Sequence, residues 1–148
     1  MISFRTAITA IFGVLIVHGF GVKFDLYDRM DWFDIPMHFF GGYVIALLGL
    51  AVFGWILLYL DIKPRRLASD QFQGQILARF LLEALLIIGF VMIIGVAWEW
   101  YEFIFDQLRI TFSLHSAPAQ MGLPDTMDDL LNDFLGAITA WLLWREKP

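Results

Sequence analysis

The sequence predicts an all-α fold, a polytopic membrane protein built as a bundle of four transmembrane helices. Three observations predict it. Apolar residues make up 59% of the chain and charged residues 17%, against about 45–50% and 25% in a soluble domain. Four apolar segments each approach or exceed the ~20 residues that carry a helix across a bilayer. Between them lie short tracts rich in charge, proline or glycine, where a helix in lipid cannot continue. At 148 residues the chain has room for a single transmembrane domain, 1–148, with several spans.

The first span is read over 4–22, behind Arg5. This opening looks like that of a signal peptide, but no small-x-small cleavage pattern follows, so the span is expected to stay uncleaved. A polar loop with Asp25, Asp28 and Asp31 leads to Asp34-Ile35-Pro36. An Asp cap with Pro in the first turn opens the second span, 35–60, because the missing proline N–H costs nothing there. Asp61 to Arg66, with Pro64, and the polar tract 68–75 are expected to break the chain. The third span, 76–105, is long enough to tilt, and Trp98, Trp100 and Tyr101 near its end fit an interfacial belt. Leu108 to Leu114 reads as a short interfacial element. Pro118, Gly122 and Pro124 then break regular structure before the fourth span, 126–144.

That fourth span opens oddly. Asp125, Asp128, Asp129 and Asp133 crowd its first turns. An ionisable side chain at the bilayer centre costs about 2.5–3.5 kcal/mol on insertion scales, so it calls for a partner. Topology supplies the partners. With the N-terminus inside, Arg5, Lys63, Arg65, Arg66, Arg79, Arg145 and Lys147 are cytoplasmic, and Lys23, Arg29 and Arg109 are outside. The excess supports N-in, C-in. The outer ends of three spans then carry acids at one depth: Asp31, Asp34 and His38 on the second, Glu99 and Glu102 on the third, and Asp125, Asp129 and Asp133 on the fourth.

Plainer roles compete for several of these residues. Asp125 with Asp128, and Asp34, suit helix capping. Glu99 and Glu102 cannot cap, because a helix C-terminus repels acids. They need a metal, a proton or an arginine, and Arg29 and Arg109 are near. His18 is expected to be packing. Gly13, Gly41, Gly42, Gly49 and Gly54 suit close helix approach. Asp129 and Asp133 lie too deep for capping, and His38 gains interest from the acids at its level.

At three of these motifs the chain resembles the YjdF-type bacterial inner-membrane proteins, a family of unknown function, and more loosely the VanZ-type membrane proteins. The motifs read Asp34-Ile-Pro-Met-His38-Phe39-Phe-Gly-Gly42, then Glu99-Trp-Tyr-Glu102, then Asp125-Thr126-Met-Asp128-Asp129 with Gly136-Ala137. The match covers roughly 34–140. The chain departs from the pattern at Gly41, where Gln is usual, and in a shorter loop before Asp125. The resemblance implies a multi-pass protein of the bacterial inner membrane, with Asp34, His38, Glu99, Glu102, Asp125 and Asp129 as its special residues. It implies no reaction, and nothing carries over to Asp128 or Asp133.

The absence of cysteine excludes disulfides, thiolate metal sites and a cysteine nucleophile. The net charge of −5 and the lack of a basic run speak against nucleic acid as a partner. No Ser-His-Asp set, P-loop or His-Glu-x-x-His motif is present. Carboxylates with imidazole make a hard, oxygen-rich set. It suits Mg²⁺, Mn²⁺, Ca²⁺ or iron, and Zn²⁺ where both His and acids bind. Metal ligands are expected among Asp34, His38, Glu99, Glu102, Asp125 and Asp129. Three readings stay open. One is a site binding a divalent metal or protons, in a chain that oligomerises to enclose a path. Another is a metal-dependent hydrolase or transferase acting on a lipid-linked substrate, with Glu99 or Glu102 as catalytic base. The third is a structural membrane assembly factor. Whether the protein is an enzyme is left open, and the expected partners are the lipid bilayer, a lipid-like substrate and further copies of the chain.

Overall fold

The computed structural model describes residues 2–30, 32–59, 69–113 and 118–145. Among them it is all-α. In order, the helices are α1 (Phe4–Lys23), α2 (Leu26–Arg29), α3 (Asp34–Tyr59), α4 (Ser69–Thr111) and α5 (Leu123–Trp144). The expected Asp61–Arg66 break, Asp31 and His115 lie outside the described residues.

Three helices are long and apolar enough to cross a membrane: Phe4–Lys23, Asp34–Ile56 and Ile76–Thr111. The fourth long helix, α5, is not apolar enough by the same measure. Its aspartates at 125, 128, 129 and 133 dilute an otherwise hydrocarbon sequence. It is amphipathic, and turns Asp129, Asp133, Gly136, Ala137, Ala140 and Trp141 inward.

The third span differs from expectation. Instead of 76–105 flanked by a broken tract and a separate interfacial element, one helix of 43 residues runs from Ser69 to Thr111. No proline falls between Pro64 and Pro118, and glycine alone costs only about 1 kcal/mol in a helix. At 1.5 Å per residue α4 is about 65 Å long, roughly twice the ~30 Å hydrocarbon core.

α3 lies at the centre, packed on α1, α4 and α5. The α3–α5 contact is the most extensive, and two glycines allow it. A Cβ on Gly42 would collide with the backbone of Asp133, and one on Gly136 with the Phe39 carbonyl and, at 2.8 Å, with the Tyr43 nitrogen. Small residues let helix backbones meet in this way. Gly49 is tight against Ile87 and Phe90, at 3.1 and 3.3 Å. Gly13, expected to be another packing position, faces open space. Below the crossing, Ala46, Leu47, Leu50, Ile87, Val91 and Trp141 form the apolar core. At the far end Arg145 stacks over Phe80 at 4.8 Å and fastens the end of α5 to α4.

Candidate functional site

His38 sits one turn into α3 and is 7% exposed. The i,i+4 spacing puts Asp34 beside it on the same helical face. The glycine crossing brings α5 close enough for two more acids. His38 Nε2 lies 3.6 Å from Asp34 Oδ1 and 3.7 Å from Asp129 Oδ1, and Nδ1 lies 3.7 Å from Asp133 Oδ1. These separations exceed hydrogen-bond length. One imidazole is thus surrounded by three carboxylates, none closing on it directly.

Asp34, His38 and Asp129 each offer one ligand atom, and all three atoms lie within 4.8 Å of one another. Donors on one ion at about 2.0–2.6 Å are separated by at most roughly twice that, so a single divalent cation can bridge this triangle. Two atoms nearby are orphans. Asp129 Oδ2 and Glu99 Oε1 are buried with no hydrogen-bond partner among the described residues. Asp129 is 3% exposed and Glu99 is 4% exposed. A buried unpaired carboxylate oxygen is costly unless a cation or proton meets it.

Three of the six expected ligands therefore meet in one triangle, and three do not. Asp125 was expected to cap α5. The helix instead begins two residues earlier, with Gly122 as its N-cap at φ 107° and Pro124 in the first turn. Asp125 Oδ2 reaches back to accept from the Met121 N–H at 2.9 Å. Asp128 points to solvent or lipid, exposed on the outer side of α5. Glu99 Oε2 accepts from Gln120 Nε2 at 3.5 Å, and Glu102 Oε1 accepts from the Trp98 indole N–H at 3.0 Å. The arginines expected beside these glutamates reach other acids: Arg29 pairs with Asp25 at 3.7 Å and Arg109 with Asp106 at 3.3 Å.

Several contributors escaped sequence reasoning. Asp106 accepts from the backbone N–H groups of Ala119 and Gln120 at 3.0 and 3.1 Å. It ties the loop before α5 onto the end of α4. Gln120, so placed, bridges Glu99 and Thr126. A one-turn spacing after Glu102 was the available signal for Asp106. No local signal marks Gln120. Gly95 was missed as well, and a Cβ there would strike Asp133 Oδ2. Trp98 turns inward rather than joining an interfacial belt, whereas Trp100 and Tyr101 remain exposed.

His18, expected to be packing, lies on a polar wall. Its Nδ1 is 2.7 Å from the Tyr27 hydroxyl, and its ring meets Trp98 edge-on at 5.4 Å. Burial, then the charges of Asp34 and Glu102, push the Tyr27 hydroxyl well above its ordinary value, so it stays neutral. His18, Tyr27, Asp34, His38, Glu102 and Asp133 together border one end of a cavity of about 220 Å³ between α1, α3 and α4.

Comparison with known proteins agrees with the fold. A family model described as "Predicted membrane protein (DUF2238)" matches residues 4–146. An "Uncharacterized protein" of Thermotoga maritima is 28% identical over 144 residues, 97% of this chain and 64% of that protein. The chain thus spans just under two thirds of the relative's length. No solved structure matches. With nearly every residue inside the family match, the chain belongs to the DUF2238 family of predicted membrane proteins.

Proposed function

We propose that this membrane protein holds a divalent cation between Asp34, His38 and Asp129. The observation that carries this reading is the orphaned Asp129 Oδ2, buried beside an imidazole and a second carboxylate that lie within one ion's reach. A purely structural cluster would satisfy its buried oxygens with arginine or backbone N–H groups, as Asp106 does. An assembly factor held together by ion pairs is therefore the weaker reading. Hard oxygen donors with one nitrogen favour Mg²⁺, Mn²⁺, Ca²⁺ or iron, with Zn²⁺ if the site closes to four ligands. Asp133 lies 3.7 Å from Nδ1, on the side of the ring where a ligating histidine usually has a carboxylate behind it, and Nε2 faces Asp34 and Asp129.

Proton handling by the same cluster is the second reading, favoured by the number of acids at one depth. The two differ in what the purified protein contains. Elemental analysis of detergent-purified protein is expected to give about one divalent ion per chain, and much less in Asp129→Ala and His38→Ala. Metal-free wild type, prepared without chelators, would leave the proton reading. Metal retained by both variants would overturn the choice of ligands.

The YjdF-type pattern falls on these same residues, and supports a place in the bacterial inner membrane with the site near the outer face. If the protein is an enzyme, Glu102 is the acid best placed as base, because it borders the cavity while Glu99 does not.

A further inference from the structure

The cavity beside His38 has two unlike ends. Its long wall is hydrocarbon: Val14 and Leu15 from α1, Met37 and Val44 from α3, Val91 and Ile94 from α4. Its polar groups gather at the other end, and two of them, Asp34 and His38, are also corners of the triangle with Asp129. The cation site and the cavity therefore share a wall.

The cavity opens sideways. α1 packs on α3 and α2, and α4 on α3 and α5. The ring contact between His18 and Trp98 joins α1 to α4 at the polar end. Further along, Leu15 is 49% and Ile94 is 40% exposed although both line the cavity. Both helices are apolar enough to cross a membrane, so what lies outside this opening is lipid chain rather than water.

We propose that the hydrocarbon tail of a phosphate-headed lipid enters this cleft from the bilayer, its phosphate oxygens meeting the cation at Asp34, His38 and Asp129. This rests on the cation reading above. Among the described residues no Lys or Arg lines the cavity, and its ionisable border is acidic apart from His18, His38 and Tyr27. A phosphate is held against such a border across a cation, and a hard divalent ion takes phosphoryl oxygen readily. The volume is larger than the ~150 Å³ of an apolar cavity that admits benzene, so it accommodates a stretch of several methylenes. The occupant is thus an amphiphile, oxyanion at one end and alkyl or prenyl chain at the other.

The test uses full-length protein in a maltoside detergent, loaded with Mn²⁺. Dodecyl phosphate, inorganic phosphate and dodecylammonium are titrated, with binding read by native mass spectrometry and by the Mn²⁺ resonance spectrum. Val14→Trp and Ile94→Trp fill the cleft and touch none of the cation's donors. Mn²⁺ uptake is expected unchanged in both, which also reports that they fold. Dodecyl phosphate is expected to bind the loaded wild type at least tenfold more tightly than inorganic phosphate does. It should bind both tryptophan variants at least tenfold more weakly, and be released by chelator. All samples share the same micelles, so partitioning into detergent cancels between wild type and variants. Equal binding of dodecyl phosphate to wild type and both variants overturns the proposal. So does inorganic phosphate binding as tightly as the alkyl ester, which points to free phosphate as the ligand. Preference of metal-free protein for dodecylammonium overturns it in favour of a cationic amphiphile. Absence of Mn²⁺ uptake overturns the cation reading and this proposal together, whereas Mn²⁺ uptake without alkyl phosphate binding overturns this proposal alone.

Discussion

Asp106 and Asp129 are both buried acids, and the contrast between them shows what a carboxylate in this protein needs. Asp106 accepts two backbone N–H bonds and an arginine N–H. Asp129 leaves one oxygen unmet. The first is a fastening, and the second keeps a buried oxygen that no donor among the described residues reaches. Replacing the fastening has a local cost. In Asp106→Ala the amides of Ala119 and Gln120 lose their acceptors, and Gln120 loses its placement between Glu99 and Thr126. Each half-buried donor so abandoned costs up to about 1–3 kcal/mol. Amide hydrogen exchange at Ala119 and Gln120 is expected to quicken about tenfold to a hundredfold for that cost, while exchange in the middle of α3 is unchanged. Protection retained at both amides would show that the loop is held by something other than Asp106.

The elements divide into one closely packed pair and more lightly packed neighbours. α3 and α5 meet backbone to backbone at Gly42 and Gly136, beside His38 and Asp133. A methyl group at Gly136 has no space and must push the helices apart. Gly136→Ala is expected to lower stability by about 1–3 kcal/mol, as overpacking does, and to be seen as a lowered midpoint of thermal unfolding in detergent. Gly13→Ala, where the space is open, is the matched control and should stay within about 0.5 kcal/mol of wild type. The bounds of α1 and α3 were legible beforehand, since apolar length marks these helices whatever their neighbours do. α4 was not, because charged and polar residues at 69–75 and 106–111 look like breaks yet form helix readily when no proline intervenes. The start of α5 was also misjudged: the glycine ahead of Pro124, in a conformation that favours glycine, takes the cap position from Asp125.

At the scale of the whole molecule, the meeting of these helix ends was legible and the membership of the site was not. Counting spans puts the ends of α3, α4 and α5 at one level. Which acids meet there depends on how each helix is turned about its axis, at about 100° per residue. That rotation places Asp129 and Asp133 inward, Asp128 outward, and sends the Asp125 carboxylate back to Met121. The loop residue Gln120 and the tyrosine of α2 join by tertiary placement alone. Topology itself makes a further prediction. Reporter fusions after Arg66 and at the C-terminus should both report the cytoplasm, and a fusion after Arg29 the opposite side. Any other pattern overturns the N-in, C-in reading.

The glycine crossing also acts as an angular key. The groove between Phe39 and Tyr43 admits a residue without a side chain and no other. Turning α5 by one residue would present Leu135 or Ala137 to that groove, and neither fits. The setting that closes is the one that aims Asp129 and Asp133 at His38. The direction of the site's acids is thus fixed by a close approach at a neighbouring residue that itself carries no chemistry.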